Sequence, residues 1–420
     1  MQRYWVETLG CPKNQVDSDK LIGSFERDGM VAASSPEEAD LVVVNTCAFI
    51  DTAREESVET VLQLSDAKRT DAKIVVTGCM AERYGDELAA ALPEVDQVSG
   101  FGVPIQLEKP KKLGTPVTLG KTKSLPQLDL LNLPRPKSAS PWAYVKIAEG
   151  CNRNCGFCAI PSFRGKQRSR SEASILEEVE QLDAREIVLV AQDLAAYGVD
   201  ESRRGAIVPL IREVAKRTDR VRLLYLYPSD LTDELIDTMC EIGMPYFDLS
   251  LQHVSKPLLR RMRRWGDAER FLRRVEDIRA RDAHAAFRSN FIVGYPGETE
   301  EDHDQLLRFV EEADMEWISF FAYSPEEGTY AMDLDGQVPA DVMDERIREL
   351  RDLQDTITAR KRAALIGEQV EVLVDAPGVG RSHREAPEID GIIEVPDDLP
   401  VGTFRKVEIV GAAGPDLEAR

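Results

Sequence analysis

The 420-residue chain is predicted to be an α/β protein with three structured parts. These are an N-terminal doubly wound parallel sheet, a central partial (β/α) barrel and a small antiparallel β-barrel at the C-terminal end. Three observations predict this. Short apolar runs alternate with amphipathic helical stretches in the first part, which implies parallel strands joined by helices. The same alternation resumes after a proline-rich interruption. The last part changes to short β-rich segments broken by Gly and Pro.

Residues 1–103 read as the first domain. YWVETL (4–9) suits a strand and Asp19 to Arg27 a helix that stops at Gly29. LVVVN (41–45) is a buried strand, Thr52 to Lys68 a long amphipathic helix, KIVVTG (73–78) a strand and Ala81 to Leu92 a helix. Prolines at 104, 110, 116, 126, 134, 136 and 141, with lysines between them, mark residues 104–140 as a linker or crossover. Residues 141–365 hold six strand candidates: AYVKIA (143–148), EIVLVAQ (186–192), VRLLYLY (221–227), YFDLSLQ (246–252), FRSNFIVG (287–294) and WISFFAY (317–323). Helical segments such as Ser174 to Ala184 and Asp267 to Asp282 separate them. Six βα units imply a partial or complete parallel barrel, with its site at the C-terminal ends of the strands. A long helix from Ala340 to Ile366 leads into residues 366–420. There EQVEVLVD, IDGIIEV and FRKVEIVG read as short strands of an OB-like barrel.

The balance of 53 basic against 75 acidic residues gives a net charge of −22. Nucleic-acid affinity comes largely from Lys and Arg displacing counterions, so this balance disfavours RNA as partner and favours a basic protein, with acidity for solubility as the plainer reading. MQRYWVETLGC carries no secretory signal, and the longest apolar run, starting at Leu41, is too short for a bilayer. A cytoplasmic monomer without membrane contact is expected. Seven cysteines are an odd set, which argues for metal or cluster ligation, or plain burial, over disulfides.

CNRNCGFC (151–158) is C-x3-C-x2-C directly after the strand AYVKIA. Three thiolates on one tight loop can hold three irons of a 4Fe-4S cube and leave the fourth without a protein ligand. A structural zinc site would need a fourth Cys or His close by, and the next cysteine is Cys240. The motif, with Phe157 before its last cysteine and a barrel-like series behind it, resembles the radical S-adenosylmethionine enzymes. That resemblance implies that Cys151, Cys155 and Cys158 hold the cluster. The open iron would chelate S-adenosylmethionine, which an electron then splits to a 5′-deoxyadenosyl radical. NFIVGYPGET (290–299), ending its strand at Gly294, is similar to the strand that runs along the adenine. Gln192, Asp193 and Gln252 end strands on the same rim and are candidates for the methionyl or ribose groups, with polar strand-end residues as the plainer reading. Arg168 and Arg170 are candidates for the cofactor carboxylate, or solvated charge. His253 reads as a hydrogen-bonded rim histidine.

Cys11 follows YWVETL, Cys47 ends LVVVNTC and Cys79 ends KIVVTGC. If those strands are parallel neighbours, the three thiols emerge at one sheet edge, where open α/β folds place ligands. Three separately buried cysteines are the alternative, and Cys240, within LIDTMCEIG, reads as core. A second three-thiolate cube, a radical domain and a terminal TRAM domain together resemble the methylthiotransferases along nearly the whole chain. The resemblance implies two 4Fe-4S clusters, with S-adenosylmethionine as radical source and methyl donor. It also implies external electron and sulfur donors. The context Gly10-Cys11-Pro12-Lys13-Asn14 and HREAPEIDGIIEV (383–395) resemble the branch that modifies an aspartate of the twelfth small-subunit ribosomal protein, free or on the ribosome. From Leu365 to Arg420 there are 5 basic and 12 acidic residues, a poor surface for phosphates. A tRNA adenosine methylthiotransferase, or a non-catalytic iron–sulfur RNA-binding regulator, are the alternatives.

Overall fold

The computed structural model describes residues 1–105 and 129–420. Most of the expected linker, residues 106–128, lies outside the described residues. The chain divides into two compact units: Met1–Pro136 with Ile160–Lys166, and Lys137–Ala159 with Gln167–Arg420.

The first unit is built on a parallel sheet of β1 (Arg3–Thr8), β2 (Val31–Ala32), β3 (Leu41–Thr46), β4 (Lys73–Gly78) and β5 (Gln97–Ser99), in the order β2-β1-β3-β4-β5. The apolar run of β3 is buried along its whole length, as a strand covered on both faces must be. Val42, Val44, Ile74 and Val76 pack on one side with Val61 and Leu88. Val43 and Val75 face the other side with Leu21 and Phe25. The helices are α1 (Pro12–Arg27), α2 (Asp51–Ala67), α3 (Cys79–Ala91) and the short α4 (Ile160–Phe163). Helix α1 begins at Pro12 rather than at Asp19, because Pro at the first helical position needs no N–H partner and already has a helical φ. The edge strands β2 and β5, of two and three residues, are too short to show a period in the sequence.

The second unit contains β6 (Trp142–Lys146), β7 (Ala148–Glu149), β8 (Arg168–Ser169), β9 (Glu186–Val190), β10 (Arg220–Leu223), β11 (Tyr246–Gln252), β12 (Ala286–Val293) and β13 (Trp317–Ala322). Two parallel three-stranded sheets, β10-β9-β6 and β11-β12-β13, are joined by a parallel bridge between Leu226 and Leu249. The six strands thus follow one another as in a partial barrel. β10 ends before the predicted Tyr227 because Tyr225 takes φ +67° and gives its N–H to the Asp248 side chain at 2.8 Å. Around these strands lie α5 (Glu172–Leu182), α6 (Ile207–Val214), α7 (Asp233–Glu241), α8 (Lys256–Arg261), α9 (Ala268–Arg281), α10 (Glu300–Ala313) and α11 (Ala340–Ala363). Asp267 caps α9 through the Arg270 N–H, which shortens the predicted helix by its two capping aspartates.

β14 (Gln369–Ala376), β15 (Val379–Arg381), β16 (Ile393–Glu394), β17 (Phe404–Ala413) and β18 (Asp416–Ala419) close a barrel in the order β14-β15-β16-β18-β17. Val372, Ile393, Val407, Ile409 and Leu417 fill it. Among the described residues no helix is long and apolar enough to cross a membrane.

Candidate functional site

The predicted convergence of three cysteines occurs. β1, β3 and β4 are parallel neighbours. Cys11 caps α1, Cys47 follows β3 and Cys79 opens α3 directly after β4. All three therefore stand at the C-terminal edge of the sheet. A Cβ on Gly10 would lie 2.9 Å from Cys47 Cβ and 3.0 Å from its Sγ. Asn14 ties this edge together. Its Nδ2 donates to the carbonyls of Leu9 at 2.9 Å and Thr46 at 3.1 Å, and its Oδ1 accepts from Cys79 Sγ at 3.5 Å. Arg164 enters the same cluster, donating to Asn14 Oδ1 at 2.7 Å and to Cys79 Sγ at 3.0 Å.

Burial alone would raise the Cys11 thiol, but the charges of Lys13 and Arg164 and the N–H groups of Asn14 and Lys13 overcome it, so its pKa falls. Burial pushes Cys47 up to about 12, with Cys11 and Cys79 adding to the rise. Burial also raises Cys79, against the opposing charge of Arg164. Among the described residues no three His, Cys, Asp or Glu side chains are grouped to hold one metal ion. A cube makes a different demand, since each thiolate binds its own iron and the sulfurs stand apart. Three thiols at one edge with a cation beside them fit that donor set.

The second predicted loop, CNRNCGFC, follows β7. It is anchored through Gly156, whose N–H donates to Met262 O at 2.8 Å and whose carbonyl accepts from Ala331 N at 2.8 Å. A Cβ there would lie 2.6 Å from Tyr295 Oη, so the close approach requires glycine. Cys158 N turns back onto Cys155 O at 3.2 Å. Cys151 Sγ accepts from Arg153 N at 3.4 Å and Cys155 Sγ from Arg264 Nη1 at 3.5 Å. Burial raises the Cys151 thiol, the Arg153 N–H opposes it, and Asp193 and Cys155 add to the rise. Cys151, Cys155 and Cys158 are all half-buried, and Phe157 packs against the core. Cys240 in α7 packs on the same core, as expected.

The rim residues lie where the strands end. Gln192, just past β9, donates to Glu149 Oε1 at 2.7 Å. Asp193 takes the Nε of Arg153 at 2.6 Å. The amide oxygen of Gln192, Oε1, and the second carboxylate oxygen of Asp193, Oδ1, are buried without a hydrogen-bond partner. Buried acceptors left unsatisfied point to a missing donor, which suits the amino and hydroxyl groups of a nucleoside cofactor. Gln252 ends β11 with φ +73°. Gly294 follows β12 and gives its N–H to Glu298 Oε2 at 2.5 Å, while Arg346 holds the other Glu298 oxygen at 3.0 Å. His253 is buried, accepts from Ser255 N at 3.0 Å through Nδ1, and has its pKa lowered to about 4, chiefly by burial. Arg168 is exposed on β8. Arg170 is buried and bonded to Lys146 O at 2.9 Å, Ser174 O at 3.0 Å and Glu178 at 2.7 Å. Its charge is therefore matched within the framework rather than held ready for a carboxylate.

Sequence reasoning missed Asn14, Arg164 with its ion-pair partner Asp17 at 3.2 Å, and Arg264. Asn14 stands within the Cys-Pro-Lys-Asn context itself, and Arg164 lies six residues after Cys158.

Residues 3–100 match the family described as Uncharacterized protein family UPF0004, residues 145–310 the Radical SAM superfamily and residues 366–420 the TRAM domain. The ribosomal protein uS12 methylthiotransferase RimO of Moorella thermoacetica is 42% identical over 420 residues, covering 97% of this chain and 96% of that protein. Its namesake from Aquifex aeolicus is 40% identical, covering 99% and 96%. Among solved structures, the radical S-adenosylmethionine methyltransferase TsrM from Kitasatospora setae, with tryptophan substrate and a SAM analog bound, aligns with a TM-score of 0.52 at 15% identity. That alignment covers 85% of this chain and 89% of TsrM, a likeness of fold.

Proposed function

The chain belongs to the RimO family of ribosomal protein uS12 methylthiotransferases, and from that premise we propose how its residues divide the work. The reaction places sulfur and a methyl group on the β-carbon of an aspartate of the ribosomal protein. Such a C–H bond is not acidic enough for a side-chain base. When bound, iron–sulfur cubes and S-adenosylmethionine supply the radical, the methyl group and a holding point for sulfur.

The observation that carries the reading is the pair of cysteine triads, one at the C-terminal edge of the parallel strands β1, β3 and β4 and one on the single loop that follows β7. In this reading Cys151, Cys155 and Cys158 hold the radical-generating cube, and Cys11, Cys47 and Cys79 hold a second one. Gln192 and Asp193 offer unpaired acceptors to S-adenosylmethionine, joined by Gln252 and the backbone at Gly294, with Phe157 packing behind the cluster loop. Glu298 and Arg346 fix the turn at Gly294. Residues 1–103 then form the sulfur-carrying domain, 141–365 the radical domain and 366–420 the TRAM domain. The acidic balance of the last favours a basic protein over RNA. Electrons and sulfur come from outside the chain, which works as a cytoplasmic monomer.

The test is to express the chain in a host lacking both methylthiotransferase activities, weigh uS12 and digest the tRNA. A methylthio group on uS12 is expected. Its appearance on tRNA adenosine alone would overturn the reading, and absence of 5′-deoxyadenosine under reducing conditions would point to a non-catalytic regulator.

A further inference from the structure

Resting on the reading of Cys11, Cys47 and Cys79 as ligands of a second cube, we propose that Arg164 is a positioning residue for that cube. It hydrogen-bonds the Cys79 sulfur, raises the reduction potential of the cube, and has Asp17 as its opposing charge.

Arg164 belongs to the first unit through the segment Ile160–Lys166, although it lies far along the chain from the cysteines it joins. Its side chain is only 3% exposed and pairs with Asp17, itself 4% exposed, at 3.2 Å. It stacks over the Phe101 ring at 4.4 Å and donates to Asn14 Oδ1 and Cys79 Sγ. A guanidinium carries donors only, so its contact with Cys79 is one in which sulfur accepts. A neutral thiol accepts weakly, whereas a metal-bound thiolate carries charge and accepts well. At 3.0 Å this contact is shorter than the 3.5 Å from Arg264 to Cys155.

A cation beside a cluster ligand favours the reduced, more negative state, and hydrogen bonds to sulfur act the same way. Asp17 acts against it. The other charged groups in this neighbourhood are Lys13, which acts on Cys11, and Glu82, which feels Arg164. A purely structural Arg164 would cement α1 to α3 and leave the potential alone. The two roles therefore separate on a redox measurement.

The experiment uses the full chain with Cys151, Cys155 and Cys158 all changed to Ala, loaded anaerobically with ferrous iron and sulfide. Iron content tests the second cube. A spin-resonance titration with a low-potential reductant, one electron entering per cube, gives its midpoint. On this background Arg164→Gln is expected to shift the oxidised-to-reduced ratio at fixed poise about tenfold toward oxidised, about 59 mV for a one-electron couple. Asp17→Asn is expected to shift it the opposite way, and Arg164→Lys to fall between wild type and Gln. Iron retained with midpoints unmoved, or moved in the same direction by Gln and Asn, overturns the proposal while leaving the second cube standing. No iron in the triple-Ala protein removes the second cube and the proposal with it. Should Arg164→Gln fail to hold iron, Arg164→Lys and Asp17→Asn carry the opposite-sign comparison.

Discussion

Gly78 decides whether Cys79 can open α3 immediately after β4. Its φ is +92°, and an added Cβ would lie 2.2 Å from Asn45 Oδ1 and 2.6 Å from Thr46 O. The residue therefore combines a left-handed backbone with a backbone collision, and Gly78→Ala is expected to cost about 2–3 kcal/mol. Thermal unfolding would show this as a lowered midpoint. Gly10 has the same φ, and an added Cβ there would meet the Cys47 side chain, so Cys11 and Cys79 each follow a glycine held at positive φ. On the proposal that the chain holds two cubes, Cys11→Ala is expected to lose about half the cluster iron while cleavage of S-adenosylmethionine continues. Iron analysis and 5′-deoxyadenosine release, measured on one preparation, check this. Unchanged iron would place the second cube elsewhere. At this scale the cysteines were legible because each ends an apolar strand. Asn14 was not, because its partners Thr46 and Cys79 come together only through sheet order.

Strands and helices carry the titrating groups that set the acid response. His253, between β11 and α8, has a folded pKa of about 4, below the ordinary histidine value of 6.5. Burial dominates, Asp302 opposes it, and His303 and Arg346 reinforce it. A depressed folded pKa means the unfolded chain binds the proton more readily. The contribution is therefore complete above about pH 6.5 and is lost as pH falls toward 4. Glu186 opens β9. Burial would raise its carboxyl, but Arg222, Arg381 and Arg220 bring it down to about 2 from 4.5. Its contribution is lost between about pH 4.5 and 2. Urea midpoints are expected to decline below pH 6.5, with His253→Gln flattening the first part of the decline. A midpoint independent of pH from 6.5 to 4 would contradict the buried neutral imidazole. Element types and most boundaries were legible from apolar periodicity. The early start of α1 and the short β10 were not, since a proline at the first helical position and a positive φ at Tyr225 leave the apolar pattern intact.

In the second unit the terminal barrel is bound to the β6–β13 strands by buried charge rather than tethered alone. Arg222 pairs with Glu186 at 2.7 Å with both side chains fully buried, and Arg381 of the barrel reaches the same carboxylate at 3.2 Å. Tyr144 Oη donates to Pro387 O at 2.9 Å, Trp317 Nε1 to Arg384 O at 2.7 Å, and Arg288 pairs with Asp390 at 2.5 Å. Removing one partner of a buried pair costs about 3–5 kcal/mol. Deleting residues 366–420 would strand Arg222 and Arg288 without several of their acceptors, and calorimetry should find no cooperative transition in the remaining strands. A truncated chain melting as sharply as the intact one would show that the barrel is an appendage. By itself the sequence determined the three-part α/β architecture and the C-x3-C-x2-C loop, because periodicity and short spacing are properties of neighbours along the chain. It also pointed to the edge shared by Cys11, Cys47 and Cys79, on the condition that their strands lie side by side. Only the tertiary structure met that condition, and only it brought Arg164 to Asn14 across 150 residues and Arg381 to Glu186 across 195. A buried charge chooses its partner by strand order and packing, and neither leaves a local pattern in the residues that end up paired.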